Sequence, residues 1–264
     1  MTTQTLSITK LGTVEPFDLQ VSRGQITNHQ SIFRSAYSSF VSSAGTRAIW
    51  NRAAAYTFPA SATSMTISSS STADVGQQVL INGLDANYNP VSFVASLNGQ
   101  NAVMTVQSFI RINDVIVVAP NGSLAYPVGD IYVGTGTVTA GVPANVYGFV
   151  SAGDNQSLVG VYTVPAGYTL YLTGGSVNTA GLAVNVFMTV DFHASVLGAA
   201  SAQRVDYLTA RIFASNGFQF FPYAQPVAVT EKTDIYDTVL GSVAGPDRIT
   251  ASFTGILVKN DGTL

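Results

Sequence analysis

The 264 residues contain no cysteine, which removes disulfides and thiolate metal sites from consideration. Charge is scarce. Asp, Glu, Lys and Arg make up 9% of the chain, against roughly 25% in ordinary domains. There are only two histidines and one tryptophan, and no His/Cys spacing suits a metal. No stretch approaches the roughly 18 unbroken apolar residues of a membrane helix, so no membrane partner is expected. The start, MTTQTLSITK, lacks the basic-then-apolar order of a secretory leader. A net charge of −3 without any Lys/Arg cluster argues against nucleic acid as a partner.

What is present is apolar and small. Hydrophobic residues reach 47% and mean hydropathy is +0.30. The surface must therefore be clothed in Ser, Thr, Asn, Gln and Gly, or lie against other subunits, because a free monomer ordinarily carries more charge to stay soluble. The charges are also uneven. Residues 1–55 hold Lys10, Arg23, Arg34, Arg47 and Arg52 against Glu15 and Asp18, a balance of +3, so the remainder carries −6. A basic arm docking on a neighbour's acidic surface and plain scatter in a charge-poor chain are both open.

Runs of Val, Ile, Thr, Tyr and Phe, broken every eight to twelve residues by Gly, Pro, Asn or Asp, predict an all-β chain. In 183–193, AVNVFMTVDFH, Val184, Val186, Met188, Val190 and Phe192 share one face, with Asn185, Phe187, Thr189, Asp191 and His193 on the other. In 249–254, Ile249, Ala251 and Phe253 point in while Thr250, Ser252 and Thr254 point out. VYTVPAGYTLYLTGG (161–175) reads as two strand pieces around a Pro-Ala-Gly turn. The expected organisation is an N-terminal arm (1–55), a first β-sandwich (56–147) and a second, jelly-roll-like sandwich (148–264). Within the arm, SIFRSAYSSFVSS reads as a short helix or an extended segment.

Asp85, Asn87 and Asn89 stand at alternate positions, as a calcium loop of the EF-hand kind begins. Such a loop needs Gly at its sixth position and Glu at its twelfth; here those are Pro90 and Ser96. Strand-like QQVLING and PVSFVASLNGQ flank the stretch, so it is expected to turn a corner, with Asn98-Gly99 as a hairpin turn of the primed type.

GLDANYN followed by a hydrophobic strand, LNG and SFIRIN, with AIWNRAAAYTFPASATSMTISSSS before it, resembles virion structural proteins of short-tailed bacteriophages of marine and freshwater bacteria. YTVPAGYTLYL, EKTDIYDTV (231–239) and ASFTGILVKND (251–261) carry the likeness through the carboxyl half, so that it spans roughly 45–264. The resemblance implies a β-rich, oligomeric particle component, either a capsid decoration protein, a head fibre or a tail part.

Candidates for chemistry are few. His193 shares a predicted face with Asp191, with no G-x-S-x-G elbow to supply a nucleophile. Glu231, Asp234 and Asp237 in VTEKTDIYDTVL offer carboxylates for glycoside hydrolysis, as in a depolymerase, or an acidic contact for a neighbour's arginine. GTGTVTAG (134–141) is no phosphate loop, and Asn121-Gly-Ser and Asn155-Gln-Ser are loops. Trp50 between Arg47 and Arg52 is either core or an anchor into a neighbouring subunit. FQFFPY (218–223) is either an interface patch or a core-facing strand end.

The expectation is a non-enzymatic virion structural protein without cofactor or metal. It would be made in the host cytoplasm and act as a capsid cement on the outer surface of the head. Its partners would be the major capsid protein and itself, as a homotrimer or homodimer. The residues expected at subunit contacts are Arg23, Arg34, Arg47, Trp50, Arg52, Glu231, Asp234 and Asp237. A receptor- or glycan-binding head fibre or tail component is the alternative.

Overall fold

The computed structural model describes residues 15–119, 125–182, 186–197, 204–241 and 248–260. Lys10, the Asn121-Gly-Ser stretch and residues 183–185 of the alternating strand lie outside them. The chain is all-β: sixteen strands and a single short helix, α1 (Phe17–Ser22), among the described residues.

Four strands make a front sheet in the order β1 (His29–Ser38), β16 (Arg248–Lys259), β11 (Tyr168–Ala180) and β14 (Gly217–Val229). Behind it lies a back sheet of β10 (Val161–Thr163), β15 (Asp234–Gly241), β12 (Met188–Leu197) and β13 (Arg204–Ala214), with β2 (Arg47–Ala48) also paired to β15. One apolar cluster fills the space between them. The front sheet supplies Ile32, Leu170, Leu172, Val177 and Phe253, and the back sheet supplies Met188, Val190, Phe192, Ile235 and Val239. The alternation expected for Met188, Val190 and Phe192, and for Ile249, Ala251 and Phe253, is observed: all six are buried.

The middle of the chain forms two further sheets. One has the order β6 (Val103–Phe109), β3 (Thr63–Ser69), β8 (Ile131–Thr139) and β9 (Val142–Val150). The other has β5 (Pro90–Asn98), β4 (Val75–Leu84) and β7 (Arg111–Ala119). They enclose a second cluster that includes Met65, Ile67, Val79, Ile81, Phe109 and Ile131. The boundary expected at 147/148 falls inside β9.

The expected arm proves to be built into the sheets. Of the two forms expected for this stretch the extended one is observed: SIFRSAYS lies in β1, paired without a break to β16 from His29↔Val258 to Ser38↔Ile249. Only Ile32 and Ala36 are apolar core positions on this strand, and Phe33 points outward, so period 2 was not visible in the sequence. The chain therefore lays down one edge of the front sheet first, leaves to build β3–β9, and returns to complete the carboxyl-half sheets.

The Asp85 stretch turns the corner between β4 and β5. Asp85 Oδ1 accepts the backbone N–H groups of Asn87 and Asn89 at 2.8 and 2.9 Å. The slight desolvation of its carboxyl is outweighed by these bonds, which hold Asp85 below the usual carboxylate range. At Asn98–Asn101 the chain reverses with Gly99 at φ +60°. A Cβ there would meet the Thr72 backbone at 3.0 Å, so glycine suits both the turn and the close approach.

Candidate functional site

A polar seam joins β7 of the middle sheets to the carboxyl-half strands. Arg111 is buried and holds Asp234 in a fork, Nε to Oδ1 at 2.8 Å and Nη2 to Oδ2 at 2.9 Å. Arg204 Nη2 reaches Asp234 Oδ2 at 2.9 Å, and the Thr163 hydroxyl donates to Oδ1 at 2.6 Å. The Arg111 guanidinium lies over the Phe58 and Tyr88 rings, with centroids at 4.7 and 5.7 Å. Burial would lower the Arg111 pKa, but the Asp234 carboxylate outweighs it and raises the value. Two positions on, Asn113 copies a strand edge. Its Nδ2 donates to Thr163 O and its Oδ1 accepts Thr163 N–H, both at 2.9 Å. Asp114 then pairs with Arg34 of β1 at 3.1 Å and accepts from Ser157. The Arg34 guanidinium also lies over the ring of Tyr162, whose hydroxyl burial pushes up to about 12.

On the outer face of the back sheet His193 stacks on Tyr236 at 4.7 Å. Its Nδ1 is 3.0 Å from Asp206 Oδ2 and its Nε2 3.1 Å from Thr238 Oγ1. Burial and the Asp206 carboxylate raise the Tyr236 hydroxyl pKa. The expected partner, Asp191, is engaged elsewhere: Arg211 grips it with two hydrogen bonds of 2.7 Å. The order hydroxyl, imidazole, carboxylate has the form of a nucleophilic relay. However, Thr238 lies within β15, paired to Asp191 of β12 on one side and Ala48 of β2 on the other. Among the described residues, Thr238 has no adjoining turn to present backbone N–H groups to a developing oxyanion. The geometry here is cross-bracing of β12, β13 and β15.

The residues expected at subunit contacts are placed as follows. Trp50 is 1% exposed; its Nε1 donates to Ala54 O at 2.9 Å, and its ring meets Tyr56 and Phe149 edge-on. Arg52 lies over the rings of Trp50, Tyr132 and Phe149. Both are consumed inside the chain because the segment between β2 and β3 must be pinned against β8 and β9. Asp234 and Asp237 are buried as well, which takes them off the expected contact surface. On a strand an offset of three puts two side chains on opposite faces. Asp234 accordingly faces out to the seam, while Asp237, paired to Phe192, points into the core. The two carboxylates therefore form no hydrolytic pair. Burial raises the Asp237 pKa well above the ordinary carboxylate value, and its Oδ1 has no hydrogen-bond partner. Arg34 is held in the seam. Arg23 pairs with Glu15, Arg47 donates to the carbonyls of Arg52 and Ala53, and exposed Glu231 accepts the Gly167 N–H at 2.5 Å.

The sequence reading missed Arg111, Arg204, Asp114 and Asp206. Arg111 did leave a signal: it is the one charged residue of SFIRIN, flanked by Phe109, Ile110 and Ile112, where a buried cation needs a partner. A cleft of about 10 Å³ beside the seam, lined by Asn113, Asp114, Tyr147 and Ser157, has room for a single water.

FQFFPY divides between the two faces of β14, with the core-facing strand end observed. Phe221 and Tyr223 pack against the core, Phe221 meeting Phe192 at 4.9 Å, while Phe218 and Phe220 are exposed. On the neighbouring edge strand β13, Val205, Tyr207, Leu208 and Phe213 are exposed too.

No family model and no curated protein matches the chain. Among solved structures it is similar to a chain in the structure of the Gt strain of infectious bursal disease virus. That chain is 13% identical with a TM-score of 0.23, over 92% of this chain and 77% of that one. The corresponding chain of the Gx strain is 11% identical with a TM-score of 0.25, over 93% and 78%. At such scores no common architecture is established.

Proposed function

We propose that this chain is a non-enzymatic virion structural protein, a capsid decoration protein that binds from outside the head and bridges capsid subunits. The observation that carries the reading is where the charge and the apolar surface lie. Among the described residues the exposed charged side chains are Asp18, Arg23, Asp206, Arg211, Glu231, Arg248 and Lys259, and three of these are already paired within the chain. Large apolar side chains such as Phe33, Val106, Phe213, Phe218 and Phe220 are more than half exposed. Apolar surface of this kind on a charge-poor β-protein favours a partner over water. The resemblance to phage particle proteins in the sequence agrees with it.

The mechanism is area summed over many copies, each contact of ordinary size and the symmetric array supplying the hold. The partners are the major capsid protein and further copies of this chain. A second reading, a head fibre or tail component that binds a receptor or glycan, draws on Phe213 and Phe218, exposed on either side of the Ser215–Asn216 turn.

Cryo-electron microscopy of intact particles with quantitative gel densitometry tests this. Hundreds of copies on the head support decoration. Six to a few tens at the tail vertex transfer the role to the loops around Ser215, and absence from particles removes both readings.

A further inference from the structure

The outer face of the front sheet has a relief that matches itself. Pairing registers align Tyr37, Thr250, Asn178 and Phe218 in one row across the sheet. The next rows are Ser35, Ser252, Ser176 and Phe220, then Phe33, Thr254, Gly174 and Pro222. None of these positions is charged. The two middle strands form a lane of Ser, Thr, Asn and Gly. Aromatic ridges stand on both sides, Phe33 at 62% exposure on β1, Phe218 at 67% and Phe220 at 63% on β14. Hydroxyls in the lane bond to each other, Ser176 to Ser252 at 2.7 Å and Thr173 to Thr254 at 2.9 Å. Covering them strands few polar groups. The short helix α1 meets the far end of β1, through Ser22 to Ser31 and Phe17 to His29.

We infer that this face is a contact between two copies of the chain, with the Phe218–Phe220 ridge of each seated in the small-residue lane of the other. Charge and shape together favour a second copy. The rows that hold the ridge and the lane have no charge of either sign to oppose themselves, and exposed Arg248 stands one row beyond Thr250. Strands lie about 4.8 Å apart, which puts the ridge on β14 roughly 7 Å from the centre of the lane. A two-fold axis parallel to the strands, midway between ridge and lane, exchanges the two and gives an isologous pair. Because the rows keep their height under that rotation, Phe218 meets the partner's Thr250 and Asn178. The overlap is on the order of 400 Å² in footprint, which places the pair among weak, reversible contacts. In an assembly such contacts gain from repetition. The inference deepens the reading of the chain as an assembly protein by naming a surface and its partner.

Sedimentation velocity on the full chain tests it. The expected result is a monomer–dimer equilibrium in the micromolar range. Phe218→Ser/Phe220→Ser and, separately, Asn178→Arg should each weaken it by at least about tenfold, while Val106→Ser on β6 leaves it unchanged. Circular dichroism of each variant separates lost contact from lost fold. A wild-type chain that stays monomeric to about 100 μM overturns the proposal, as does a dimer indifferent to both lane and ridge variants. So does a monomer that dimerises only when residues 1–14 are removed, which would give the face to the chain's own N-terminal segment. A dimer of this geometry from a chain absent from particles would retire the virion reading and leave the face. Particles decorated by isolated copies would do the reverse.

Discussion

The two outer faces of the carboxyl-half sandwich are built on opposite principles. The back sheet is braced by charge: Arg211 on Asp191, His193 on Asp206, Arg204 and Arg111 on Asp234. Each of these groups has its charged partner within the chain, while Leu208 and Phe213 of β13 stand exposed beside them. The front sheet has the same strand count along its main path but carries hydroxyls paired to hydroxyls and phenylalanines facing water. The lesson is that scarcity of charge is not uniform. The charged pairs are concentrated on one side and at the seam, and the other side carries paired hydroxyls flanked by exposed rings.

The largest expected effect attacks the braced side. Asp234→Ala leaves Arg111 buried without its carboxylate and should cost about 3–5 kcal/mol, read from denaturant midpoints at unchanged m-value. A loss under about 1 kcal/mol would mean that water replaces the seam. Next comes the inward half of β14: Phe221→Ala removes the ring against Phe192 and should cost about 2–4 kcal/mol.

Asp237 gives a pH-dependent test. Burial raises its folded-state pKa above the unfolded value, so the folded state holds its proton more tightly. Its contribution is most favourable at acid pH and declines as pH rises from the ordinary carboxylate range through the raised value. Asp237→Asn should flatten that decline and stabilise the protein more at pH 8 than at pH 4, in paired thermal melts. A variant that follows the wild-type profile would show that Asp237 gains solvent or a partner. The smallest effect sharpens the comparison most. Phe220→Ser, one residue from Phe221 but on the open face, should change monomer stability by no more than about 0.5 kcal/mol. If it matched Phe221→Ala, the front face would already be covered within the chain.

The strands with clean alternation were legible because the signal is local. Met188 to Phe192 and Ile249 to Phe253 face the core as period 2 requires, and Asp85, Asn89 and Pro90 mark a corner by chemistry within a few residues. Even the separation of Asp234 from Asp237 follows from an offset of three on a strand, once a strand rather than a loop is assumed. β1 was not legible. Its partner β16 lies more than two hundred residues away, and its face is written in Ile32 and Ala36 among serines. The arginines misled for the same reason: a cation in a sequence declares that it needs a partner and does not say which one. Arg34 found Asp114, Arg111 found Asp234, and Arg52 settled over three rings.

By itself, then, the sequence determined the all-β class, the corner at Asp85 and the poverty of charge, since each depends on composition or on neighbours in the chain. Pairing, register and sidedness belonged to the tertiary structure. Which strand lies beside β1, which acid receives Arg111, and that Phe220 faces out while Phe221 faces in depend on residues far apart in sequence and brought together only when the sheets close.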